Sequence, residues 1–286
     1  MKHASSQPKA AKRPRAHHGI TATLCALACA ALPAAVIADT SFTINDTVAD
    51  AFLAAGSPAN PVGANLTGLN FGGLGSLAIA PASSTKGEFD SVIMFTSAGA
   101  VTQFNATYGP GNWRITGLAL SLASNFPVQG SQPMNMIFNK INAGNFGINL
   151  LSDNSWVEGT GGGMGSPGYP TTSAVSFNSI PTLLSGTVDS LGTFTYTPPG
   201  NTSYVTYTLP LNPDLVTDTG AGGDLSLYFY AADNQVGYLF NSKEFGSNHP
   251  ELTVTATAAP EPAGLTLMAG TLASLWLLAR RRKSGR

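Results

Sequence analysis

Six stretches of this chain alternate apolar and polar residues with a period of two, and glycine, proline, asparagine or serine bounds each of them. In "WRITGLALSLA" Leu118, Leu120 and Leu122 share one face; "FGINLL" aligns Phe146, Ile148 and Leu150, and "GTFTYT" aligns Phe194 with Tyr196. "YVTYTL" does the same for Val205, Tyr207 and Leu209, "DLSLYFY" for Leu225, Leu227 and Phe229, and "ELTVTAT" for Leu252 and Val254. Successive strand side chains point to opposite faces, so this period specifies β-strands with one face buried. "GSPANPVGAN", "GTGGGMGSPGYP" and "TPPGN" lie between them as turns and long loops. Residues 39–258 contain no convincing 3.6-residue apolar period and no repeat of fixed length. The pattern predicts an all-β chain with one β-sandwich domain, jelly-roll-like, spanning 39–258.

The two ends are of a different kind. Lys2, Lys9, Lys12, Arg13 and Arg15 precede an apolar stretch from Ile20 to Leu32, and small residues lead to Ala38. This reads as a secretory signal peptide over 1–38, cleaved between Ala38 and Asp39; an uncleaved N-terminal anchor is the alternative. At the other end, Pro260-Glu261-Pro262 precedes an uncharged apolar run from Ala263 to Ala279. As a helix rising 1.5 Å per residue, that run reaches about 25 Å, the short limit for crossing a bilayer core. Arg280, Arg281, Arg282 and Lys283 follow directly and would hold the C-terminus in the cytoplasm. A single transmembrane helix over 263–279 is therefore expected, with a buried core helix as the alternative. The body between the two ends then lies outside the inner membrane.

Charge is distributed to match. The whole chain carries −1, but between the leader and the tail only Lys86, Arg114, Lys140 and Lys243 oppose fourteen acidic residues, a net charge near −10. Nucleic acid is disfavoured as a partner, because phosphate binding needs clustered lysine and arginine. Cys25 and Cys29 both fall in the leader, so the body has no thiol, which excludes disulfides, thiol catalysis and cysteine-ligated zinc there.

Candidate chemistry in the body is sparse. His249, followed by Pro250, is its one histidine, and no G-x-S-x-G turn is present because Met164 stands at the first glycine position of "GMGSPG". Glu88, Glu158, Glu244 and Glu251 are the glutamates from which a glycosidase pair would have to come. The reading is non-enzymatic. No cofactor is expected, with calcium the one candidate: Asp153 beside Asn154, Asp218 and Asp224 in "DTGAGGD", and Asp233 beside Asn234 offer hard oxygen ligands. The same residues make turns by bonding their own backbone, which is the competing reading. Threonine-rich "TFTYT" and "TVTATA" suggest the solvent faces of strands rather than an ice-binding surface. Trp156, in "SDNSWVEG", is expected to fill the core rather than to stack on a ligand.

Pro260-Glu261-Pro262, the short apolar helix and the terminal arginine cluster resemble the PEP-CTERM sorting signal of Gram-negative bacteria, over residues 259–286. That resemblance implies recognition by an exosortase-type membrane protease, transient anchoring by the helix, and delivery to the cell surface or the extracellular space. The body resembles the DNRLRE group of β-sandwich modules, related to carbohydrate-binding modules. Trp156 and Glu158 match its central "W-x-E", and Ser242, Glu244, Pro250, Leu252 and Val254 its final "S-x-E…P-x-L-x-V". The early strand in "KGEFDSVIMF" departs from the group, with Thr96 where aspartate is usual. Together these imply an exported surface or matrix protein, structural or adhesive in exopolysaccharide or biofilm. A carbohydrate-binding module with a defined glycan site and a polysaccharide-active enzyme are the alternatives.

Overall fold

The computed structural model describes residues 38–45, 47–60, 63–125, 138–139, 144–161, 174–197 and 203–259. The expected signal peptide as far as residue 37, Pro260-Glu261-Pro262, the helix expected over 263–279 and Arg280 to Lys283 lie outside the described residues. Among the described residues no helix is long and apolar enough to cross a membrane.

In chain order the strands are β1 (Thr40–Ile44), β2 (Thr47–Ala54), β3 (Ser76–Ile79), β4 (Phe89–Thr96), β5 (Trp113–Ala123), β6 (Gly144–Leu151), β7 (Val188–Tyr196), β8 (Tyr204–Leu209), β9 (Asp224–Ala231), β10 (Tyr238–Asn241) and β11 (Glu251–Ala258). Among the described residues three α-helices interrupt them: α1 (Ala98–Tyr108), α2 (Ile180–Leu183), entered through a 3-10 turn at Phe177–Ser179, and α3 (Pro213–Ala221). The chain is predominantly β. One sheet has the order β1-β11-β5-β8 and the other β2-β4-β9-β6-β7, with a small β10-β3 pair beside them. Every pairing within these sheets is antiparallel.

The two sheets pack on a shared core. Leu118, Leu120, Leu122, Leu252 and Val254 come from one sheet and Ile93, Phe95, Ile148, Leu225 and Phe229 from the other. Each such side chain contributes about 1.5–3 kcal/mol when fully buried. Phe146 on β6 crosses the interface, its ring 5.2 Å from Tyr207 of β8 in an edge-on arrangement. On the opposite face of the second sheet, Ala51, Leu53, Val92, Leu151 and Tyr228 form a smaller cluster with Val175 and Leu183, against which Phe177, Ile180 and Trp156 pack. Trp156 is therefore half-buried beside this outer cluster, its Nε1 donating to Ser226 Oγ at 2.9 Å, rather than in the main core.

Thr43 of β1 and the threonines of β11 lie on the solvent face of the first sheet, and Thr193 and Thr195 are exposed on β7 of the second. Ser41 Oγ lies 2.9 Å from Thr255 Oγ1, and Thr43 Oγ1 lies 3.0 Å from Thr253 Oγ1, as residues directly opposite across β1 and β11.

Two helices of appreciable length stand where no helical period was legible. Along α1 only Ala100 and Phe104 are buried, one turn apart, and most of the rest is small or polar. The start and stop of α3 are chemically marked: the Asn212 side chain accepts from the N–H groups of Asp214 and Leu215, Pro213 opens the first turn, and Gly222 closes it at φ 76°. Part of "DTGAGGD" is thus helix rather than a glycine-rich turn.

Candidate functional site

The "W-x-E" and "S-x-E" stretches, 86 residues apart in sequence at Glu158 and Glu244, meet at one cation. Lys243 Nζ lies 2.8 Å from Glu158 Oε2 and 3.0 Å from Glu244 Oε1. Beneath them sits Asp50 of β2, only 1% exposed. Its Oδ2 accepts from the Lys243 backbone N–H at 2.8 Å and from Thr47 Oγ1 at 3.3 Å, while its own N–H donates to Glu158 Oε1 at 3.2 Å. Asp50 Oδ1 has no hydrogen-bond partner. Asp50 carries no label in the sequence; its one signal is an acid inside the apolar run "VADAFLA".

Local structure holds this arrangement in place. Ser242 Oγ donates to the Leu74 carbonyl at 2.7 Å and accepts from the Glu244 N–H at 3.2 Å, which fixes the turn after β10. Asn70 secures the other side, its Nδ2 donating to the carbonyls of Glu158 and Val175 and its Oδ1 accepting from the Gly161 N–H at 2.9 Å. Gly159 is required here: its φ is +78°, and a Cβ would stand 2.5 Å from Asn70 Oδ1.

The charges are set by burial and by each other. Burial pushes the Asp50 carboxyl well above the ordinary carboxylate range, the Lys243 N–H opposing this and the Glu244 and Glu158 charges adding to it. Burial also raises Glu158, against the bonds it receives from Lys243 and the Asp50 N–H. For Lys243, burial favours the neutral amine, but Glu158 and Glu244 outweigh it and hold the ammonium protonated above its usual range. The result is a charged clasp joining β2, the 156–161 loop and the turn after β10. One carboxylate oxygen from each of Asp50, Glu158 and Glu244 lies within 4.8 Å of the others, a spacing that suits a hard divalent cation. Any such ion would have to compete with the Lys243 ammonium.

The four calcium candidates lie elsewhere. Asp153 Oδ1 accepts from the N–H and hydroxyl of Ser155 at 2.8 and 2.6 Å, and Asp233 Oδ1 accepts from the N–H groups of Gln235 and Val236 at 2.8 and 2.9 Å. Both thus close their own turns. Despite burial, these bonds and those with Asn145 hold the Asp233 carboxyl below its usual range. Asp218 lies on α3, beside Asp189 and Asp214 at a cavity of about 180 Å³. Asp224 begins β9, and its carbonyl accepts from Asn154 Nδ2 at 2.9 Å. Among the described residues, these four do not join a group of three or more ligands.

The remaining candidates also have definite places. A ring nitrogen of His249 hydrogen-bonds the Phe245 carbonyl four residues earlier, and Glu251 Oε1 accepts from the Tyr204 hydroxyl at 2.9 Å. Glu88 borders a cavity of its own. The large hydrophobic side chains exposed among the described residues are Val48, Val157 and Leu211, so no exposed row of aromatic rings is among them. No family model matches this sequence, and comparison with curated proteins finds no match.

Proposed function

We propose that this protein is an exported bacterial surface or extracellular-matrix protein, sorted by exosortase-type machinery, with a structural or adhesive and non-enzymatic role in exopolysaccharide or biofilm. The observation that carries the reading is the order of features at the C-terminus: Pro260-Glu261-Pro262, an uncharged run over 263–279, then Arg280 to Lys283, in a chain that opens with an export leader. Proline disfavours helix at and before itself, so the motif presents an extended segment to a protease while the apolar run holds it at the membrane.

The arrangement of the body supports this. Thr40, at the start of β1, pairs with Ala256 near the end of β11. The Tyr108 hydroxyl lies 2.8 Å from Thr40 Oγ1 and 3.0 Å from each of the carbonyls of Ala38 and Ala256, tying both ends together. The Ala259 N–H, the last backbone group among the described residues, donates to the Asn112 carbonyl at 2.8 Å, and the motif follows directly in the sequence. A body whose two ends leave from one pole can complete its sheets while still held at the membrane. The strand orders β1-β11-β5-β8 and β4-β9-β6-β7, the latter flanked by β2, support reading the domain as a jelly-roll sandwich.

Cell fractionation tests the proposal. Replacing Pro260-Glu261-Pro262 with alanines should leave export intact and trap the protein in the inner membrane, whereas the unaltered chain reaches the surface or matrix fraction. Equal delivery of the altered chain would overturn the sorting role.

A further inference from the structure

A second cavity, of about 320 Å³, opens on the outer face of the five-stranded sheet. Asp90 of β4 and Tyr228 of β9 line it as buried residues, with Phe177 and Ile180 half-buried and Asn178 and Pro181 exposed. Asp90 is 2% exposed. Its Oδ2 accepts from the Tyr228 hydroxyl, but its Oδ1 has no hydrogen-bond partner. Leaving a buried acceptor unmet is unfavourable, so the site carries an acceptor not satisfied by the fold itself. Two further polar groups line the same cavity without engagement: among the described residues, neither the Glu88 carboxylate nor the Asn178 carboxamide has a hydrogen-bond partner.

We infer that this cavity is a binding site for one pyranose unit of an extracellular polysaccharide, the unit being neutral or amino-bearing rather than a uronate. A pyranose offers adjacent hydroxyl donors around its rim and a C–H face, and the cavity offers the complement. Glu88 and Asp90 accept, Asn178 both donates and accepts, and Ile180, Pro181 and Phe177 provide the apolar wall. The sign of the charge selects within that class. The Glu88 carboxylate lines the cavity, and the body carries a net charge near −10, so a carboxylated sugar is repelled and an ammonium-bearing one is attracted. The inference rests on the matrix reading above and names the part of the protein that would hold the matrix.

The test uses the full chain in a detergent without a sugar headgroup, so that the detergent cannot compete. Unaltered protein and the double variant Glu88→Gln/Asn178→Ala are compared for binding to a neutral β-glucan, to glucosamine oligomers and to alginate, by affinity electrophoresis and calorimetry. Both altered positions are at least partly exposed, and matched circular dichroism and melting curves establish that the variant is folded. A second variant, Pro181→Arg, crowds the cavity from its exposed rim. The expected result is binding to the neutral or amino glycan, weakened about tenfold or more by each variant, with alginate bound most weakly. Undiminished binding in both variants, or preference for alginate, overturns the site while leaving the matrix reading intact. Binding to none of the three also overturns it; the matrix reading is judged separately by fractionation, which needs no ligand.

Discussion

Asp90→Asn should remove a pH dependence of stability that the fold builds in. Burial beneath the outer cluster is the largest influence on Asp90 and raises its carboxyl from 3.8 to about 7; the Tyr228 hydroxyl bond opposes this, and the Glu88 charge adds to it. A raised carboxyl means the native state binds the proton more tightly than the unfolded chain. Between about pH 4 and about pH 7 the native state keeps a proton that the unfolded state has lost, so stability falls as pH rises through that window. At about 1.36 kcal/mol per pH unit, the interval corresponds to about 4 kcal/mol. Asparagine preserves the shape and can accept from Tyr228, but its NH₂ then stands where Oδ1 lacks a partner, at a cost of about 1–3 kcal/mol. The variant should therefore be the less stable protein at about pH 4 and match or exceed the unaltered one at about pH 8. Asp50, also raised by burial, contributes a slope of the same sign to both proteins, so the difference between them isolates Asp90. Urea unfolding of the 39–258 fragment across this range measures both curves. Parallel curves would show that Asp90 does not carry the strained proton and that the reasoning from burial is wrong.

Three other outcomes are expected. The 39–258 fragment should fold alone without disulfides and give a β-type far-ultraviolet circular dichroism spectrum, because every strand and every core residue described lies within it; a helical or disordered spectrum would contradict this. Trp156→Ala should cost about 2–4 kcal/mol, less than a fully buried tryptophan, since it loses packing on the outer cluster and its bond to Ser226, and thermal melting reads the loss. Lys243→Met leaves Glu158 and Glu244 facing each other above Asp50 without their cation, and should lower the melting temperature at neutral pH but less at acidic pH, where the carboxyls take up protons; an equal loss at both would argue against the clasp.

The strands that alternate were legible because one of their faces meets water or loops. Leu118, Leu120 and Leu122 on β5, and Leu252 and Val254 on β11, are buried as their period requires. By contrast, β4 and β10 are buried along both faces, so "VIMF" and "YLF" run apolar without a polar residue to mark a period. Helix α1 escaped notice because two buried residues in eleven leave too weak a stripe. At the site, Glu158 and Glu244 stood out through the motifs around them, but neither motif shows that they share Lys243, a contact made only when the 156–161 loop meets the turn after β10. Asp153 and Asp233 showed the opposite weakness: oxygen-rich turn residues look like metal ligands in sequence until the backbone bonds they accept are seen.

Intact mass spectrometry of the surface-associated protein from its native host tests the account most directly. The account predicts a species that begins at Asp39, after removal of the leader, and lacks residues 263–286, because exosortase-type processing near Pro260-Glu261-Pro262 would free the body from its anchor. A mature species still carrying residues 263–286 would contradict it and show the tail to be a permanent membrane anchor.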